Sequence, residues 1–346
     1  MMSHVISYPE EIKMNEQLLE VKGLKKYFPI QKGFFRKVVG HVKAVDDVSL
    51  TIDQGETVAL VGESGCGKTT TGRLILRAIK PTAGEVIYYD SNGSVNLNEL
   101  SEHDLKRYRR HMQLIFQDPY SSLNPRMTVL EIIGEPLLVN NVARGKVLEE
   151  QVVDLMELVG LDSKYLRRYP HAFSGGQRQR IGIARALALK PELVIADEPV
   201  SALDVSIQAQ TLNLLKELQR QFNLTYLFIS HDLSVVKFIA DRVAVMYVGQ
   251  IVETAETVKV FERPKHPYTE ALLAAVPRLT TKKKSRTIHL SGDVADPANP
   301  PSGCYFHPRC KYAEKRCETE NAPLRIVEEG HSVRCHLAED LKLSGV

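Results

Sequence analysis

Residues Gly62-Glu63-Ser64-Gly65-Cys66-Gly67-Lys68-Thr69 fit the pattern G-x-x-x-x-G-K-[ST]. In that pattern the glycines let successive backbone N–H groups turn inward around phosphate oxygens, and the lysine reaches the same oxygens. The final hydroxyl ligates Mg²⁺. Cys66 reads as a small filler in the loop. A second acidic element, Leu193-Val194-Ile195-Ala196-Asp197-Glu198, is an apolar run ending in two carboxylates. Asp197 suits a Mg²⁺ contact, usually through water. Glu198 faces the next way, where a carboxylate beside a γ-phosphate orients or deprotonates the attacking water. Alone, the first stretch could be a chance glycine turn and the second a strand end made soluble by acids. Together they read as a nucleotide hydrolase. A third stretch, Ser174-Gly175-Gly176-Gln177-Arg178, is a polar, glycine-paired turn opening a helix, another place where phosphate is favoured. By itself it is a weak signal.

These groups need elements to hold them. Thr57-Val58-Ala59-Leu60-Val61 is a β-branched and apolar run of the kind buried on both faces of a sheet. The phosphate loop follows it directly, and a helix-compatible stretch, 69–79, comes next and ends at Pro81. Residues 18–21 and 42–52 also read as strands, separated by an insertion at 31–40. From 118 to about 172 the character turns helical, with Leu148, Val152, Leu155, Met156 and Val159 on one helix face. Short strand runs at 193–196 and 225–229 then flank a helix faced by Leu212, Leu215, Leu218 and Phe222. Repeated strand–helix units imply a mainly parallel sheet covered by helices. Segment 280–301 reads as a polar linker into a tail.

Composition sets outer bounds. With 346 residues, 43% hydrophobic and 25% charged, the chain has enough apolar material for a buried core. A formal net charge of +3 is small, and its densest basic run, Lys282-Lys283-Lys284-Ser285-Arg286, reads as solvated linker, so no nucleic-acid partner is implied. Residues 1–11 lack the pattern of a secretory signal, and no 18-residue apolar run occurs that would span a bilayer. The expected place is the cytoplasm. Four of the five cysteines, Cys304, Cys310, Cys317 and Cys335, crowd the tail. In a reducing compartment clustered thiols point to metal before disulfide. The close C-x2–4-C pairs usual for structural zinc are absent, and four widely spaced thiolates suit an iron–sulfur cluster. Zinc, with His307 or His336, and thiols without metal remain open readings.

The order Lys68, Gln117, Ser174, Asp197, Asp204, His231 resembles that of the ATP-binding-cassette ATPases, over about residues 18–260. The one departure is Phe173, where the family often has leucine. The resemblance implies a P-loop nucleotide hydrolase core of the α/β class: a mainly parallel sheet, an inserted helical subdomain over about 118–172, an antiparallel β portion and a small Cys-rich extension. The cassette would occupy 18–263 and the extension 264–346. It implies that Phe28 stacks on adenine, with Tyr27 as the alternative if the register slips. ATP would also be held by Gly62, Glu63, Ser64, Gly65, Cys66, Gly67, Lys68, Thr69 and Thr70. Mg²⁺ falls to Thr69, Gln117 and Asp197; Glu198, His231 and Gln117 are the catalytic residues. Ser174, Gly175, Gly176, Gln177 and Asp204 are expected to reach the ATP of a second cassette, because two such chains pair head to tail.

A narrower resemblance rests on His266-Pro267-Tyr268-Thr269, on Leu272-Leu273-Ala274-Ala275-Val276-Pro277, on Gln117-Asp118-Pro119-Tyr120-Ser121-Ser122-Leu123-Asn124-Pro125 and on the cysteine tail. These look like the ATPases of oligopeptide and dipeptide importers, whose tail carries a [4Fe–4S] cluster. Phe34-Phe35-Arg36 favours the second of the two paired ATPases in such importers. That branch implies four kinds of partner or setting: a second ATPase as heterodimer partner, two transmembrane permease subunits, an extracytoplasmic substrate-binding protein, and a peripheral place on the cytoplasmic face of the membrane. Relatives of the branch also move nickel and oligosaccharides. Rival readings fit less well. Translation-type cassette ATPases carry two cassettes per chain, and chromosome or repair ATPases place a long coiled coil between the positions of Lys68 and Ser174.

Overall fold

A computed structural model describes residues 17–275 and 292–346. The chain opens with β1 (Gln17–Lys32) and β2 (Lys37–Asp53), followed by β3 (Thr57–Val61) and α1 (Lys68–Ile75). Next come β4 (Ala83–Asp90), β5 (Gly93–Asn96), α2 (Glu102–Arg109) and β6 (Met112–Ile115). Helices α3 (Val129–Val139), α4 (Gly145–Leu158) and α5 (Gly175–Leu187) follow together. Strand and helix then alternate through β7 (Leu193–Asp197), α6 (Val205–Phe222), β8 (Thr225–Ser230), α7 (Leu233–Ile239) and β9 (Arg242–Tyr247). The last part comprises β10 (Gln250–Glu256), α8 (Thr257–Glu262), α9 (Pro267–Ala274), α10 (Lys315–Thr319), β11 (Arg325–Glu328) and β12 (His331–Val333).

Two sheets form: an antiparallel one in the order β2-β1-β4-β5, and a larger one in the order β11-β12-β10-β9-β3-β8-β7-β6. In the larger sheet β9, β3, β8, β7 and β6 run parallel. Its central strands β3, β7 and β8 are buried on both faces, and the alternation along the strands sorts the core. Leu193, Ile195, Leu227 and Ile229 pack with Leu19, Val21, Val86 and Tyr88 of the antiparallel sheet. Val194, Ala196, Tyr226 and Phe228 pack instead with Ile183, Leu215 and Leu218 of the helices. The helix face expected from Leu148, Val152, Leu155, Met156 and Val159 is buried in that second cluster. This architecture agrees with the expected α/β core carrying helical and antiparallel parts.

Several local expectations change. The stretch 31–40 is not an insertion between strands: β1 and β2 simply continue into it and turn at 33–36. The helix after the phosphate loop stops at Ile75, well before Pro81, because Arg77 takes a left-handed conformation (φ 52°). Between 118 and 128 the chain is turn and loop, and regular helix begins only at Val129, where Thr128 and Glu131 form a capping box. The tail adds β12 antiparallel to β10 in the larger sheet, pairing Glu253 with Val333. The basic run 282–286 and most of the expected linker lie outside the described residues, and no described helix is long and apolar enough to cross a membrane.

Candidate functional site

The phosphate loop joins β3 to α1, and its shape depends on glycine at two places. Gly62 (φ 153°) and Gly67 (φ 109°) lie so close to neighbouring backbone that a Cβ would meet Met246 O at 2.1 Å and Ala44 O at 2.2 Å respectively. Lys68 is buried, and its ammonium donates to Gly62 O (2.8 Å) and Glu63 O (3.0 Å) across the loop. Ser64 and Gly65 form the exposed crest. Cys66 is buried, and burial raises its thiol above the ordinary range, so it packs rather than reacts.

The tip of β7 supplies the acids. Thr69 Oγ1 donates to Asp197 Oδ1 at 2.9 Å. Burial raises the Asp197 carboxyl above its usual range, against the opposing pull of the Thr69 hydroxyl. One residue on, Glu198 turns left-handed (φ 46°) while its N–H donates to Ile229 O at 2.9 Å. A non-glycine residue held there costs on the order of 1 kcal/mol, a strain typical of functional sites. The turn throws the carboxylate clear of the strand, where Oε2 accepts from Gln117 Nε2 (2.8 Å) and Oε1 lies 3.0 Å from His231 Nδ1. Gln117, Glu198 and His231, from the ends of β6, β7 and β8, thus meet at one carboxylate.

The glycine-paired turn does not join this group. Ser174 caps α5 in a capping box with Gln177, and helix geometry leaves the Gly175 and Gly176 N–H groups without intrahelical acceptors. A Cβ at Gly176 would meet Ile207 Cγ2 at 2.4 Å, and Leu203 and Tyr120 lie closest to Gly175. Asp204 caps α6 at Ile207 N (3.0 Å). The turn and the Asp204 loop therefore pack on each other, and no hydrogen bond among the described residues links them to 62–70. Phe28 shows an exposed ring with Lys26 Nζ 5.0 Å from its centroid. It pairs with Val42 on β2, two residues from the Ala44 carbonyl that abuts Gly67. Tyr27, by contrast, is engaged elsewhere: its hydroxyl donates to Asp46 (2.5 Å), and burial raises its ionisation.

Sequence reasoning missed how the tail grips the phosphate loop. Arg309, buried against the rings of Tyr247 and Phe306, holds both oxygens of Glu63 at 2.8 and 3.1 Å. The Glu63 N–H donates to Tyr268 Oη at 2.9 Å. The Glu63 side chain thus faces the tail, and both partners lie more than 200 positions away, so only the unexplained acid in an anion-binding loop hinted at them. Cys304, Cys310, Cys317 and Cys335 line one cavity with His266, His307 and His336. Burial and the neighbouring thiols push Cys310 up to about 11 and Cys335 up to about 12. His266 is fully enclosed, and burial lowers it to about 3, so it stays neutral. Among the described residues no three His, Cys, Asp or Glu draw close enough to hold a single metal ion.

Comparison with known proteins gives this geometry a setting. Residues 45–201 match the ABC transporter family, and 252–317 match the oligopeptide/dipeptide transporter C-terminal region. The chain is 52% identical to the oligopeptide transport ATP-binding protein AppF of Bacillus subtilis (strain 168), over 93% of this chain and 98% of that one. It is 49% identical to the dipeptide transport ATP-binding protein DppF of Haemophilus influenzae, over 94% and 98%. Among solved structures, a dimeric post-hydrolysis state of the ATP-binding cassette MJ0796 with ADP and Pi superposes with a TM-score of 0.60 at 29% identity. That match covers 69% of this chain and 99% of the other. The chain belongs to the ABC transporter family and is one of its ATP-hydrolysing subunits.

Proposed function

We propose that this ATPase drives import of di- or oligopeptides, and that hydrolysis is carried out at the Glu198 carboxylate. The observation that carries the chemical part is the meeting of Gln117, Glu198 and His231 beside the Lys68–Thr69–Asp197 group. Lys68 exchanges its two loop carbonyls for phosphate oxygens when ATP enters. Mg²⁺ fits beside Thr69 and Asp197, whose hydroxyl and carboxylate oxygens are hard donors able to share it with phosphate and water, and it would supply charge neutralisation there. Glu198, freed by a small shift of the Gln117 amide, orients the attacking water and takes its proton, while His231 reaches the γ-phosphate. Phe28 covers the adenine.

Ser174, Gly175, Gly176, Gln177 and Asp204 complete the site of a second cassette, since their own loop is out of reach. The dimeric MJ0796 cassette supports that pairing. Binding of ATP closes the pair, and loss of phosphate reopens it. The peptide assignment draws on the printed functions of AppF and DppF and on the match at 252–317. The partners would be a second, distinct ATPase, two permease subunits and an extracytoplasmic binding protein, with the chain on the cytoplasmic face. An apolar cavity of about 330 Å³, lined by Leu137, Leu155, Leu158 and Leu187 and edged by Arg110 and Asp154, offers a permease segment a seat where the helical subdomain meets the core. The four tail thiols, which line one cavity, are the residues that would hold a [4Fe–4S] cluster. There it would act as a structural crosslink of the tail.

The test is Glu198→Gln in the assembled transporter. ATP binding should persist while turnover falls ~100-fold or more, equivalent to ~2.7 kcal/mol of lost transition-state stabilisation. Peptide uptake into proteoliposomes should stop with it. Turnover within a few-fold of the parent would refute the role given to Glu198, and uptake of nickel or oligosaccharide in place of peptide would refute the cargo.

A further inference from the structure

The tip of the β1–β2 hairpin is built unlike the rest of the surface. Residues 31–39 are all exposed, and Phe34 and Phe35 at the turn are 97% and 92% exposed. Their rings meet edge to face at 5.7 Å, and the turn is fixed by Gly33 and Arg36 in left-handed conformations with Arg36 N–H donating to Gly33 O. Two fully bared phenylalanines are not ordinary surface composition. Beyond Lys25 the third strand β4 no longer pairs with β1, so the last turns of the hairpin stand as a two-stranded ribbon. From Phe28 to the turn this ribbon reaches roughly 16 Å. A free ribbon is marginal in water, and an occupant at its tip would offset that.

Charge selects the occupant. From Val21 to Val45 the sequence carries seven lysines and arginines and no aspartate or glutamate. At the tip itself Lys32, Arg36 and Lys37 have no described carboxylate within ion-pair reach, and Val38 and Val39 add exposed apolar surface between them. Aromatic rings at the apex, flanked by unpaired cations of one sign, match a surface that is apolar inside and densely anionic at its rim. A protein partner would ordinarily bring mixed charges to such a rim. We infer that the hairpin tip is a membrane-surface anchor: Phe34 and Phe35 enter the acyl boundary of an anionic phospholipid bilayer while Lys32, Arg36 and Lys37 bind its headgroup phosphates. The inference rests on the transporter reading only for the presence of a bilayer near the chain. It gives this subunit a contact with lipid separate from any seat on the permease, next to the strand that carries the adenine-facing Phe28.

The chain contains no tryptophan, so Phe35→Trp in the full-length protein is a sole reporter. With vesicles of phosphatidylglycerol and phosphatidylcholine its emission should shift to the blue and the protein should float with the vesicles. With phosphatidylcholine alone neither should happen. Phe34→Ser with Phe35→Ser should weaken flotation about tenfold or more, and Lys32→Gln with Arg36→Gln and Lys37→Gln should do the same and remove the salt dependence. ATP affinity and melting temperature, measured on each variant, should stay at parent values, which separates failure here from failure of the ATPase reading. Flotation unaffected by the phenylalanine changes would overturn the anchor, as would absence of flotation from a folded, ATP-binding protein. A photocrosslinker at position 35 that reacts only with permease in the assembled transporter would also overturn it, in favour of a protein seat.

Discussion

Asp197 sits where stability and function pull apart. Its carboxyl is 5% exposed, hydrogen-bonded only by Thr69 among the described groups, and burial raises its pKa. A carboxyl whose folded pKa is raised destabilises the folded state once it ionises. The penalty is therefore present above the folded pKa and disappears as pH falls through it. Asp197→Asn keeps the acceptor for Thr69 and removes the charge. At neutral pH, without nucleotide, the variant should melt roughly 1–3 °C higher than the parent. That advantage should shrink as pH is lowered toward the raised pKa, while Mg²⁺-dependent turnover is lost. An Asp197→Asn variant that melts no higher than the parent at neutral pH, with no change in the difference as pH is lowered through the carboxylate range, would show that burial does not strain this carboxylate. Glu198, one residue on, is placed by backbone rather than burial: its left-handed turn aims it at Gln117 and His231. Glu198→Gly would relieve that turn but remove the group the turn presents.

At the scale of elements, what could be read from the sequence follows local chemistry, and what could not depends on long-range pairing. β3, β7 and β8 lie where continuous apolar runs place them, because strands covered on both faces need no polar alternation. The phosphate loop and the Asp197-Glu198 tip were legible for the same reason, since each motif carries its own flanks. The hairpin 31–40 was not, because glycine and lysine punctuate it as they would a loop, while its pairing is set by cross-strand register. The Arg309–Glu63 clamp was equally hidden, being a match between two charges at opposite ends of the chain. It has a consequence for ATP. Glu63 places a negative charge at the lip of an anion site, and Arg309 neutralises it from the far side. Removing the guanidinium alone should leave that charge facing phosphate. Arg309→Gln is expected to weaken ATP binding about tenfold, ~1.4 kcal/mol, and Glu63→Gln added to it should restore most of the loss. Failure of the second change to rescue would mean that Arg309 acts through packing on Tyr247 and Phe306 instead.

Over the whole molecule, the tail is tied into the cassette at several separate places, the Arg309–Glu63 clamp among them. β12 extends the central sheet through β10. Buried Glu253 accepts from the Lys265 and His266 N–H groups and pairs with buried His331 at 2.7 Å. Arg334 reaches Asp47 on β2 at 3.0 Å, and Tyr305 donates to the Asp46 carboxylate that also receives Tyr27. Phe306 belongs to the same apolar cluster as Val61, Val245 and Tyr247, at the edge of the phosphate loop. A unit joined by sheet pairing, a shared core and buried hydrogen bonds has no stable state of its own to melt into, because breaking any one of these leaves unsatisfied polar groups or apolar surface exposed in the other part. Calorimetry of the full chain should therefore give one transition with equal van't Hoff and calorimetric enthalpies. Glu253→Ala, which strands His331 and two buried N–H groups, should lower that single midpoint by several degrees without splitting it. Two resolved transitions, with only the smaller one shifted by Glu253→Ala, would mean that the tail folds as an independent body and that its grip on Glu63 is an accessory contact.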